Sequence, residues 1–169
     1  MERLTTPSTR AQVRGFLTIH SAPSALRHHI DWAIQAEFGN WIKPSWNPQP
    51  LMPGSFRTQL EFRAPQGSAA KIASVLRSWH YLNFEIIEAS ETGGELFRCT
   101  PDLGIHRALV DQSGSVLVNE NQLKVLLSSA CDEESIREGV ATILGTAWDE
   151  ELERFRGADL QELPRLHAI

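Results

Sequence analysis

Histidine is the side chain whose ordinary pKa lies nearest neutrality, and this 169-residue chain carries six, His20, His28, His29, His80, His106 and His167. They are scattered along it. His28 and His29 are adjacent, and neighbouring helix positions diverge by about 100°, whereas ligands sharing a metal want spacings of three or four. His20 closes a strand-like stretch where a helix begins, a position that suits a catalytic group. Arg77 and His80 flank Trp79 in what reads as a last helical turn, where cationic groups either hold an anion or offset unpaired carbonyls. Asp149, Glu150, Glu151 and Glu153 form an acidic run, which at helical positions reads as a solvated face. No G-x-S-x-G, P-loop or G-x-G-x-x-G pattern occurs. With no nucleophile–base pair, metal set or phosphate loop legible, we expect no catalytic residues, no cofactor and no efficient catalysis.

The tryptophans are more distinctive. Trp32 falls on the polar side of a predicted helix, Trp41 and Trp46 precede a proline-stiffened stretch, NPQPLMPG, and Trp148 sits beside the acidic run. Tryptophan is enriched at binding hot spots because it buries a large area with few rotatable bonds. These four are the candidate partner-binding residues, with the segment from Trp41 to Gly54 as the docking element. The competing reading makes them lids over the protein's own core.

The formal charge is -5, with no basic cluster, which argues against nucleic-acid binding. No apolar run approaches the roughly 20 residues of a membrane span. The start, MERLTTPSTR, lacks the apolar core of a signal peptide, and Cys99 and Cys131 are too few for a disulfide framework. A reduced, cytoplasmic setting is the simplest fit. The expected organisation is a ragged start over 1–11, one domain over 12–157 and a loosely packed tail over 158–169.

The elements that would position these residues follow from periodicity. Gln12–Ser21 is strand-like, with a bulge expected at Gly15. A helix enters at Ser21-Ala22-Pro23, carries Leu26, Ile30, Ala33, Ile34 and Phe38 on one stripe, and stops at Gly39. Asn40–Trp46 reads as a short edge strand, because Pro44 bars it from a sheet interior. Phe56–Arg63 alternates cleanly. Ser68 is expected to cap a helix bearing Ala69, Ile72, Ala73, Leu76 and Trp79, after which Leu82–Glu88 alternates as a strand. Strand, helix, strand, strand, helix, strand is the split βαβ, ferredoxin-like order, with the strands near 13–20 and 82–88 expected side by side as the central pair. Glu95–Thr100, then a hairpin from Ile105 to Asn119, should continue the same sheet. Asn119 and Asp132 are expected to cap helices with Leu123, Leu126 and Leu127, then Ile136, Val140, Ile143, Leu144 and Ala147, inside. A kink at Gly145 leads into TAWDEELERFR. The fold class is therefore α+β, a ferredoxin-like βαββαβ half extended by a β-hairpin and C-terminal helices.

HSAPSAL (20–26), Trp32-Ala33, LRSWHYLNFE (76–85), TPDLGIH (100–106) and LGTAWDEELERFR (144–156), in that order, resemble the actinobacterial family called domain of unknown function 3145. The resemblance implies no activity, cofactor or catalytic residue, and by gene neighbourhood it implies a link to fatty-acid synthesis. Two function classes stay open. One is a non-catalytic interaction or regulatory protein with a protein partner, possible homo-oligomers included, in fatty-acid or acyl-CoA metabolism. The other is a small-molecule or acyl-CoA-binding domain with modest enzymatic activity, built around His20, Arg77, His80 and His106. A deep pocket beside those four would favour the second, a flat tryptophan-rich patch the first.

Overall fold

Strand β1 (Gln12–Pro23) buries every second side chain as far as Ile19, the signature of a strand with two different faces. It pairs antiparallel with β3 (Ser55–Pro65) on one side and β4 (Asn83–Ser90) on the other. The computed structural model describes residues 12–162; the start expected over 1–11, and the part of the expected tail beyond residue 162, lie outside them. With β2 (Asn47–Pro48), β5 (Gly93–Thr100), β6 (Gly104–Val110) and β7 (Val116–Leu117), one seven-stranded sheet forms in the order β2-β3-β1-β4-β5-β6-β7. Every neighbouring pair is antiparallel. The two halves of the chain thus share one sheet across the β4–β5 hairpin.

The register against both neighbours shifts after Ile19, so the irregularity lies at His20 and not at Gly15 as expected. Gly15 has another task. A Cβ there would stand 2.1 Å from Phe62 Cζ and 2.6 Å from the Ile87 carbonyl oxygen; the missing side chain lets Phe62 cross β1 and stack on Phe38 at 4.1 Å. The edge strand expected over Asn40–Trp46 is displaced to Asn47–Pro48, opposite Arg57 and Phe56. An edge tolerates a proline, and the preceding residues are used instead to tie down α1.

Helices α1 (Arg27–Phe38) and α2 (Ser68–Leu76) cover one face. A 3-10 turn, Ser24–Leu26, precedes α1, and Gly39 ends it with φ of +109°. Ile30, Ile34 and Phe38 of α1 and Ala69, Ile72, Ala73 and Leu76 of α2 meet Leu17, Ile19, Phe84 and Ile86 in the main core. Helix α2 stops at Leu76, short of Trp79, which packs half-buried on the core from the following turn. Its N-terminus is not capped by Ser68, whose hydroxyl is buried without a partner. Glu88 of β4 does that work: its two carboxylate oxygens accept from the Gly67 and Ala69 amides at 2.8 and 2.9 Å.

The other face is covered over β1, β4 and β5 by α5 (Thr146–Glu162), which continues across Gly157, where the tail was expected to begin. Leu152 and Phe155 of α5 are fully buried. Asn119 caps α3 (Glu120–Ser129) and Asp132 caps α4 (Glu133–Leu144) through reciprocal capping boxes. Gly145, with φ of +72°, separates α4 from α5. The interior expected for α3 and α4 is absent, since neither helix buries a residue fully. They pack on each other, with Leu126 closing on Gly139, while Leu127 is 64% exposed and Leu123, Ile136 and Leu144 are also exposed.

Candidate functional site

Alternation along β4 sends Phe84, Ile86 and Glu88 towards α1 and α2, and Glu85 towards α5. Beneath α5, Glu85 becomes the centre of an ionic cluster. His20 Nε2 lies 3.0 Å from Glu85 Oε1, and Arg156 of α5 donates from Nε to Oε1 at 3.0 Å and from Nη2 to Oε2 at 2.7 Å. Arg98 of β5 stands 3.9 Å from Glu85 Oε2 and pairs with Asp149 at 2.8 Å. Asp149 in turn accepts from Arg156 Nη1 at 3.0 Å. Burial pushes the Glu85 carboxyl up, but the hydrogen bonds from His20 and Arg156 outweigh it and hold its pKa at about 2. The bond to Glu85 raises the Arg156 guanidinium above its ordinary value against the pull of burial.

His20 is 2% exposed, because its ring lies against Phe155 at 5.8 Å between centroids and the bulge turns it inward. Its carbonyl accepts from Gln49 Nε2 at 2.5 Å, while its Nδ1 is buried with no hydrogen-bond partner. A cavity of about 290 Å³ beside it is lined by Thr18, Asn47, Arg57 and Gln59 among others.

The sheet separates the four candidate ligand-binding residues. His106, on β6, faces the α4–α5 joint: its Nε2 lies 3.1 Å from the Ile143 carbonyl oxygen, and its ring lies 4.9 Å from that of Trp148. Strands β4 and β5 stand between it and His20. Arg77 and His80 lie on the opposite side, where α2 ends. They line a cavity of about 430 Å³ with Trp79, Leu82, Cys99 and Ile105, among others. Cys99 and Ile105 are register partners on that face of β5 and β6. Burial pushes the Cys99 thiol up to about 11, against the pull of Arg77. Both cysteines are free.

The tryptophans divide as well. Trp148 donates to the Gly104 carbonyl at 2.9 Å and rests half-buried on His106. Trp46 donates to Asp31 Oδ1 at 2.8 Å and packs against the core. Trp32 and Trp41 face outward, 65% and 71% exposed. Among the described residues Trp32 meets the edge of the His29 ring, and Trp41 lies over Gly39. Of the acidic run expected to be solvated, Glu150 and Glu153 are exposed, but Asp149 and Glu151 are half-buried. Asp149 holds two arginines, and Glu151 accepts from the Thr100 hydroxyl. The reason is that α5 lies on a sheet face and cannot keep all sides wet.

Among the described residues no three His, Cys, Asp or Glu side chains gather to hold a metal ion, and no helix is long and apolar enough to cross a membrane. The residues that sequence reasoning missed are Glu85, Glu88, Arg98 and Arg156. Each lies in an ordinary amphipathic pattern, and only the sheet register and the placement of α5 bring them to their partners.

A single antiparallel sheet with helices on both faces makes this an α+β protein. The chain belongs to the family described as protein of unknown function (DUF3145), whose model matches residues 16–165. No curated protein and no solved structure matches it.

Proposed function

We propose that the protein is a non-catalytic, cytoplasmic interaction or regulatory protein that docks onto a partner protein through Trp32, Trp41 and the segment 41–54. The observation that carries this reading is the exposure of the two rings on a backbone already tied down. Gln35 Nε2 donates to the Ile42 carbonyl at 3.1 Å, and Trp46 is bonded to Asp31. Buried Gln49 reaches the His20 carbonyl with its amide and accepts from the Leu51 amide at 3.1 Å. A segment ordered in advance loses little entropy on binding, and two exposed indoles offer the large, stiff area of a hot spot. The family resemblance adds fatty-acid or acyl-CoA metabolism as the setting of the partner.

The reading also carries a fold assignment. The order β2-β3-β1-β4, all antiparallel, with α1 and α2 on one face, supports a ferredoxin-like βαββαβ unit to which β5–β7 and α3–α5 are appended.

The test replaces Trp32 and Trp41 together with serine and leaves Trp46 in place, since that ring supports the fold. Tagged wild type and variant are isolated from the native host, and each co-purifying protein is purified and titrated against both. The expected result is one protein that binds wild type at least tenfold more tightly than the variant, at unchanged melting temperature, with cross-links to residues 32–54. Equal affinity, or cross-links confined to other surfaces, overturns the reading.

A further inference from the structure

We propose that the cavity at the end of α2 is a binding site for a small organic anion, one carrying a carboxylate or phosphate on an apolar body. Its volume, about 430 Å³, falls in the range of small-molecule sites. Two positive or protonatable groups, Arg77 and His80, line it, and no aspartate or glutamate does.

Arg77 is an exposed guanidinium with no carboxylate within ion-pair distance among the described residues, unlike Arg14, Arg98, Arg107 and Arg156, which are all paired. A planar guanidinium lining the cavity suits two oxygens of one carboxylate or phosphate. Beneath it the walls change character. Trp79, Leu82 and Ile105, with the buried thiol of Cys99, supply an apolar floor. A ligand would lay its body there and turn its charge outward to Arg77 and His80. Gly104, with φ of +72° and open space where a Cβ would stand, keeps the rim clear.

The probe pair is 2-naphthyl phosphate and 2-naphthol, titrated into the full chain while backbone amide resonances are followed. The expected result is saturable binding of the phosphate ester with shifts confined to residues 77–82 and 99–105. Naphthol should bind at least tenfold more weakly, as should the phosphate ester to R77Q, the loss of one charge-assisted contact. Inorganic phosphate as a third arm should bind more weakly than the ester, because the floor then contributes nothing. The control is R14Q, on the opposite side of the sheet, which should bind as wild type does. Arg77 is exposed, so an unchanged melting temperature of R77Q separates loss of binding from loss of fold. Shifts spread elsewhere, no saturation at millimolar probe, equal binding of naphthol, or undiminished binding by R77Q would each overturn the proposal.

Discussion

Arg156 of α5 and Glu85 of β4 form a two-pronged ion pair across the only face of β4 that α1 and α2 leave open, with donor–acceptor distances of 3.0 and 2.7 Å. The two residues lie 71 apart in the chain, so this pair fixes where the last helix sits. His20 and Phe155 fill the space beside it. Replacing Arg156 with methionine removes the cation and leaves Glu85 half-supported in a largely buried site. The cost should be about 2–3 kcal/mol in a denaturant titration at neutral pH. A change below about 0.5 kcal/mol would place the pair among ordinary surface salt bridges.

The same pair sets a pH dependence. Folding lowers the Glu85 carboxyl from its ordinary value near 4.5 to about 2, because the hydrogen bonds from His20 and Arg156 outweigh the effect of burial. A depressed carboxyl contributes stability in full above its unfolded value and loses it as the pH falls through its folded one. Glu85 should therefore contribute of the order of 2–3 kcal/mol above pH 5, fading between about pH 4.5 and 2. The measurement is the stability difference between wild type and E85Q at several pH values. It should shrink towards acid. A difference that stays constant from pH 6 to 3 would show that the carboxylate charge is not what the site uses.

Gly15 offers a separate test of packing. G15A places a methyl carbon on the Phe62 ring and near the Ile87 carbonyl, so it should destabilise by about 1–3 kcal/mol, as overpacking does. Trimming the ring should give part of this back: the double variant G15A/F62L should lose less than the two single losses added together. Additive losses would mean that the backbone contact with Ile87, not the ring, sets the limit.

What the sequence made legible was periodicity, and what it hid was pairing. Thr58 and Phe62 are buried and Gln59, Glu61 and Arg63 exposed on β3, in step with their alternation. Ile30, Ile34 and Phe38 likewise follow the helical stripe. Periodicity also misled on α3, where Leu123 and Leu127 repeat as core residues do, yet the helix packs mainly on α4 and leaves them exposed. The candidate sites failed to converge for a related reason. His20, Arg77, His80 and His106 look equivalent in one dimension, but strand alternation and the end of α2 put two on each side of the sheet. Glu85 and Glu88 look alike as well, three residues apart on one strand, and alternation aims them at different helices.

Glu88 supplies the last prediction. At 2% exposure it is the most deeply buried carboxylate-bearing residue among those described, and no arginine or lysine pairs with it among the described ion pairs. Its partners are backbone: the Gly67 and Ala69 amides at the start of α2, where unpaired N–H groups and the helix dipole favour negative charge. This carboxylate therefore acts as an N-cap supplied from β4, while Gly67, in the left-handed region at φ of +92°, turns the chain so that both amides point at it. E88A removes both acceptors and leaves two donors unsatisfied, the Ala69 amide buried and the Gly67 amide partly so, which should cost about 2–4 kcal/mol. E88Q keeps one carbonyl acceptor in the same shape but brings an NH2 against the second amide, and should fall between E88A and wild type. Hydrogen exchange then locates the loss. In E88Q the amides of Gly67–Lys71 should exchange faster than in wild type, while those of β1 and β4 should change only as far as the global loss of stability requires. If E88A unfolds the protein outright, E88Q still decides the matter. Unchanged exchange at Gly67 and Ala69 in that variant would show that α2 begins without help from β4.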